Sequence, residues 1–234
     1  MFLSGLHHVR THLLTVSIVD SFLLPKRLYT YRGHFIVEAI PGQTFKIAFE
    51  RNFGARLNVA AGVDGRYTIE DKPFDGSCDG LIYSGDGPHY IHGYGLRTTR
   101  SFEFADSVRD TVAYETTGDL SKVGLIEVVA WAEYVRPQYS DNPLIFGLSR
   151  SESTAKSAPS GAVGTKMGKQ VEHHEIGQTR YIRAFGDPDT VRIYPRANWW
   201  LKAMGLLSSA PKSDPDFPTS FPGQRDDTDY FHNR

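Results

Sequence analysis

Between Gln43 and Glu50 apolar and polar side chains alternate: Phe45, Ile47 and Phe49 fall on one side, Lys46, Ala48 and Glu50 on the other. That is the period of a strand with one buried face. Pro41-Gly42 separates this run from His34–Ile40 and predicts a tight turn joining two strands. Further strands are expected at His12–Val19, Arg56–Val63, His89–Tyr94, Thr99–Ala105, Val123–Val135, Val171–Phe185 and Thr190–Tyr194. Asp64-Gly65, between Val63 and Tyr67, is a dipeptide suited to a turn with positive φ. One segment, Arg196–Met204, has helical spacing, with Trp200, Leu201 and Met204 on one face and Gly205 placed to end it.

Many short strands with turn signals between them, and no long helices to carry parallel crossovers, point to an all-β fold. The expected form is an antiparallel β-sandwich with one short C-terminal helix and extended terminal arms. Residues 1–30 read as an N-terminal strand or arm, 31–207 as the sandwich domain and 208–234 as an extended C-terminal arm. Within the sandwich, Phe45, Ile47, Phe49, Val59, Phe102, Phe104, Ile126 and Val128 share strand parity and are the expected core. Asn142–Gly168, rich in Ser, Thr, Ala and Gly, reads as a long excursion between strands. The stretch from Ser208 to Arg234 is Pro-rich and polar, with Phe217, Phe221, Tyr230 and Phe231 spaced along it. Isolated aromatics on an extended arm suit pockets on a partner, so these four are the expected partner-binding anchors.

Composition narrows the function classes. The chain has 26 basic and 27 acidic side chains, net charge -1, with no Lys/Arg stripe, so nucleic acid is not the expected partner. The single cysteine, Cys78, excludes an intramolecular disulfide. Leu13–Leu24 is apolar but broken by Ser17, Asp20 and Ser21, too short and polar to span a bilayer, so no membrane partner is expected.

Candidate chemistry is thin. His173 and His174 are adjacent and, on a strand, point to opposite faces; His89 and His92 have the same problem, and His7 and His8 precede the first strand. None forms a zinc-ligand pattern, and no metal or cofactor is expected. Asp64, Asp71, Asp75, Asp79 and Asp86 lie among glycines but match no calcium loop, and read as turn residues. There is no Gly-x-Ser-x-Gly elbow and no Walker lysine, and Gly93-Tyr94-Gly95 lacks the third glycine of a dinucleotide loop. An enzyme is therefore not expected. Trp199 and Trp200 invite a sugar-stacking role, but on an amphipathic helix Trp200 is expected to pack inward, with Trp199 at most half exposed.

One pattern runs through much of the chain. It comprises His34–Glu38, Pro41-Gly42-Gln43-Thr44-Phe45, Val63-Asp64-Gly65, Asp71-Lys72-Pro73 and Ile91-His92-Gly93-Tyr94-Gly95. It continues through Phe102-Glu103-Phe104-Ala105, Val123-Gly124-Leu125-Ile126, Gly164-Thr165-Lys166-Met167-Gly168 and Tyr194–Gly205. Over about Arg32–Pro137 and Val163–Leu206 this resembles a family of largely uncharacterised β-sandwich proteins of bacteria, bacteriophages and other large DNA viruses. The resemblance implies a sandwich and carries no activity. By analogy of fold it implies a structural virion protein, most specifically a bacteriophage head decoration, cement or minor capsid protein. Such a protein resides in the virion and bridges the major capsid protein and copies of itself, gaining strength from several small contacts. The alternative is a carbohydrate- or host-surface-binding module in a tail or on a cell surface.

Overall fold

The computed structural model describes residues 6–70, 72–96, 99–116, 120–134, 160–171 and 181–207. Within them the chain is an all-β sandwich of two seven-stranded sheets. With strands numbered along the chain, the first sheet holds β1 (Val9–Arg10), β2 (Leu14–Val19), β5 (Thr44–Arg51), β9 (His89–Ile91), β10 (Gly93–Tyr94), β11 (Thr99–Phe104) and β13 (Thr165–Val171). The second holds β3 (Leu28–Tyr31), β4 (His34–Ala39), β6 (Leu57–Val63), β7 (Arg66–Tyr67), β8 (Leu81–Tyr83), β12 (Ile126–Ala132) and β14 (Asp189–Ala197). Two short α-helices, α1 (Val112–Thr116) and α2 (Asn198–Ala203), and two single-turn 3-10 helices, Val108–Asp110 and Leu120–Lys122, complete the described elements.

The core lies between the sheets and uses the parity read from the sequence. Phe45, Ile47, Phe49, Val59, Phe102, Phe104, Ile126 and Val128 are all buried. Val16 and Ile18 of β2 stand opposite Phe49 and Ile47 of β5, so the same parity continues across the pair. Phe45 stacks on Phe104 at 4.4 Å and on Phe102 at 5.2 Å, and Tyr94 meets Phe102 edge-on at 4.9 Å. Offset rings of this kind add to simple area burial.

Several details differ from the sequence expectation. Pro41-Gly42 does form a tight turn, with Gly42 at φ +78 and the Gln43 N–H donating to the Ile40 carbonyl at 3.0 Å. It joins strands of different sheets, however, carrying the chain from β4 across the core to β5. The expected strand His89–Tyr94 breaks at His92, because β9 pairs with β5 whereas β10 pairs with β11. A Cβ at Gly93 would collide with the Arg100 carbonyl, so only glycine allows β10 this approach. Of the strand expected at Val171–Phe185, residues 172–180 lie outside the described residues; β13 is described from Thr165 to Val171, and among residues 181–185 Arg183 forms an isolated bridge to Glu133. The pairs are antiparallel except β4–β14, which is parallel. The additional helix α1 is too short to show a helical period, yet it buries Val112 and Ala113.

The segment before residue 31 supplies β1 and β2 to the first sheet and β3 to the second, so these residues build the sandwich itself. At the other end α2 closes as read: Gly205 has φ +70, its N–H donates to the Lys202 carbonyl, and the Leu206 N–H donates to the Leu201 carbonyl at 2.9 Å. The arm at 208–234, with Phe217, Phe221, Tyr230 and Phe231, lies outside the described residues, as do Asp71, His173, His174 and most of the 142–168 excursion.

Phe104 is fully buried at one end of the aromatic stack, against Phe45. Truncation by Phe104→Ala is expected to cost about 3–5 kcal/mol in urea unfolding. A loss under about 1 kcal/mol would contradict its core position.

Candidate functional site

The two outer faces of the sandwich are unlike. On the second sheet every residue of β6 is buried, because the described residues 68–70 and 72–80 fold over the outside of β6 and β12. Tyr67, Phe74 and Cys78 form a second apolar cluster there with Ala60, Val129 and Trp131. The acidic residues of this region serve separate ends. Asp75 accepts hydrogen bonds from the backbone and hydroxyl of Ser77, Asp79 pairs with Arg183 at 2.8 Å, and Asp86 pairs with Arg51 at 2.7 Å. Burial pushes the Cys78 thiol above its usual range, which leaves it a packing residue rather than a nucleophile.

The first sheet keeps an open trough of about 560 Å³ on its outer face. Its floor is the outward parity of the two central strands, Thr15 and Ser17 on β2 with Ala48 and Glu50 on β5. Register places Arg10, Thr15 and Glu50 in one row across three strands, and Ser17, Ala48 and Tyr90 in the next. One wall is His7, His8 and Arg10, at and before β1; the other is Pro88 and Tyr90, at and before β9. Small side chains in the centre and large ones on the flanks make the depression.

At one end of the trough, Arg51 is spent on the protein: it donates to the carbonyls of Gly54, Ala55 and Gly85 besides pairing with Asp86. Asn52 accepts from the Thr15 hydroxyl at 2.8 Å and donates to the Thr11 carbonyl at 2.7 Å. In contrast, the side-chain polar groups of His8, Arg10, Ser17 and Glu50, and the Tyr90 hydroxyl, have no hydrogen-bond partner among the described residues.

The other end is a turn of unusual composition. Between β2 and β3 the Asp20 carboxylate accepts from the N–H groups of Phe22 at 2.8 Å and Leu24 at 3.0 Å. The Asp20 N–H donates to the Leu24 carbonyl, and Leu23 adopts φ +65. This conformation costs a non-glycine residue about 1–2 kcal/mol. The turn holds Phe22 at 82% and Leu24 at 62% exposure, while Leu23 and Pro25 line the trough.

Inside the molecule stands the most perturbed acid among the described residues. Asp64 opens the β6–β7 turn with φ +53 and is buried; one carboxylate oxygen accepts from the Gly124 N–H at 2.8 Å and the other from the Thr165 N–H. Loss of hydration pushes its carboxyl up to about 7, against the pull of the N–H groups of Thr165, Gly124 and Leu125. Tyr94, also buried, is raised well above its ordinary value, first by burial and then by the Asp64 charge. With Asp64 only 2% exposed, no substrate reaches it, and it is a structural clasp.

Asp64 is an interior residue rather than a surface turn acid. Trp199 is 61% exposed, more than expected, because α2 is only one and a half turns long and turns that side away from β4 and β14. Trp200 packs edge-on against Tyr31 at 5.4 Å, so the two indoles do not make a shared platform. Among the described residues no three of His, Cys, Asp and Glu stand close enough to hold a metal, and no helix is long and apolar enough to cross a membrane. Sequence reasoning misses the Asp20 turn, although an acid and a serine followed by three apolar residues and a proline form a legible loop signal. The Asp64 clasp has no local signal, since its partners lie 60 and 101 residues away. No family model, curated protein or solved structure matches this chain.

Asp64 makes stability depend on pH. Its folded value, about 7, lies above the ordinary 3.8, so the folded state holds the proton more tightly between these values. Its contribution is full below about pH 4 and is lost as pH rises through 7. Asp64→Asn abolishes this titration, so the stability gap between wild type and variant is expected to narrow from pH 5 to pH 8 in urea unfolding. A gap that widens over this interval contradicts the protonated clasp.

Proposed function

We propose that this chain is a structural virion protein, a bacteriophage head decoration, cement or minor capsid protein that bridges the major capsid protein and its own copies. The observation that carries the reading is the turn at residues 20–25. A phenylalanine 82% exposed on backbone already fixed by the Asp20 carboxylate is an anchor with little ordering left to lose on docking. Ile182, Phe185 and Trp199, all exposed, add further apolar contacts elsewhere on the surface. The near-neutral charge suits a protein that packs beside its own copies, and the resemblance to sandwich proteins of bacteriophages and large DNA viruses supports the same reading. The arm anchors Phe217, Phe221, Tyr230 and Phe231 supply the multivalency that such bridging needs. This reading assigns no catalysis, cofactor, nucleic acid or membrane. The outer trough favours the second reading, a carbohydrate- or host-surface-binding module.

Two variants test the structural role. Phe22→Asp with Leu24→Asp is expected to leave stability within about 0.5 kcal/mol, since both side chains are exposed, and to abolish co-sedimentation with particles. Truncation after Leu207 is expected to leave a folded, soluble sandwich that no longer assembles. Full assembly by both variants overturns the anchoring mechanism.

A further inference from the structure

We propose that the trough on the outer face of the first sheet binds a saccharide that carries a carboxylate. This deepens the second reading above and is independent of the apolar anchors. Its size, about 560 Å³, falls within the range of about 300–1,000 Å³ typical of small-molecule sites. Its shape comes from the rigid ladder of β1, β2, β5 and β9 and needs no loop to close.

The lining fits the chemistry of a pyranose acid. Sugar hydroxyls both donate and accept, and the unspent groups here do both: the Ser17 hydroxyl, the acceptor-only Glu50 carboxylate and the donor-only Arg10 guanidinium. Tyr90 offers an aromatic wall for the apolar face of a sugar ring, with its hydroxyl available at the rim. The charges are separated rather than mixed. Arg10, with His7 and His8 beside it, stands on β1, and Glu50 lies in the same row on β5. Two inter-strand spacings, about 10 Å between backbones, separate them. A ligand with its carboxylate on Arg10 and hydroxyls on Glu50 satisfies both ends, and the planar guanidinium takes a carboxylate through paired hydrogen bonds. Densely charged ligands fit poorly: a polyphosphate or nucleic-acid backbone that reaches Arg10 sets further negative charge against Glu50. A neutral sugar leaves the basic wall unmatched.

The test is an array of immobilised uronic-acid- and sialic-acid-bearing glycans beside neutral glycans of equal length, probed with the full chain. The strongest acidic binder is then titrated against wild type and three outward-facing variants. The acidic members are expected to bind and their neutral counterparts not. Arg10→Ala and Tyr90→Ala are each expected to weaken binding about tenfold or more, and Ser17→Trp, which fills the floor, to remove it. Phe22→Ser with Leu24→Ser, which removes the apolar tip without adding charge beside the trough, is expected to bind like wild type, which separates this site from the anchoring role. The proposal is overturned if no acidic glycan binds, if neutral glycans bind equally well, or if affinity survives both Arg10→Ala and Tyr90→Ala. Should Ser17→Trp fail to fold, those two rim variants decide the matter alone.

Discussion

The carboxylate of Asp64 holds together three segments that lie far apart in the chain. It belongs to the turn between β6 and β7, reaches the Gly124 N–H just before β12, and caps the Thr165 N–H where β13 begins. Thus one side chain joins the second sheet to the first strand turn of a ladder in the other. Left without an acceptor, each buried N–H costs about 1–3 kcal/mol. The surroundings admit little else: a Cβ at Gly164 would collide with Thr111 and come within 2.8 Å of the carboxylate. On the other side of the same residue, the Arg196 guanidinium donates to the Gly124 carbonyl at 3.1 Å and to the Pro195 carbonyl at 2.7 Å. An acid and a base therefore grip the Gly124 turn through its N–H and its carbonyl, without being required to touch each other.

That fixed end accounts for the difference between the two outer faces. The turn held by Asp64 starts the chain back across β6, where Phe74 fills the space that a side chain at Gly62 would occupy. The outer face of β6 and β12 is thereby covered by the chain itself, whereas Thr30 on β3 and Thr190 and Arg192 on β14 stay exposed. No described segment does this for β2 and β5, whose outward residues are small or polar and whose flanks carry larger side chains. A sandwich stabilised from one side can leave the opposite sheet face free for partners, since its apolar requirement is already met between the sheets and under Phe74.

How much of this is legible in the sequence depends on the range of the interaction. Strand parity is local, so the alternation around Phe45, Ile47 and Phe49 identified core side chains before any pairing was known. Turn chemistry is local too, which is why Asp64-Gly65 and Gly205 take positive φ as read. What a turn connects is not local. Pro41-Gly42 looks the same whether it closes a hairpin or passes the chain to the opposite sheet, and only the partners of β4 and β5 decide. The trough is half legible: Ala48 and Glu50 face outward by alternation, but Arg10 and Tyr90 reach its rim only through pairing with β2 and β5. A buried carboxylate and a surface one have the same local sequence, so Asp64 could not be told from its neighbours.

The turn at residues 20–25 links the two surfaces on which function is argued. Asp20 fixes its backbone, and the successive side chains then diverge, with Phe22 and Leu24 projecting outward and Leu23 and Pro25 directed to the trough. The left-handed conformation of Leu23 is what separates them, because a residue in extended backbone would continue the alternation of β2 and lose the tight return to Pro25. Beneath it Val19, outward by parity, is nevertheless buried where Pro25 bridges back to it. Strain at one leucine is thus offset by hydrogen bonds to Asp20 and by cover over Val19, and the result is a rigid corner that presents an apolar tip and bounds a polar floor.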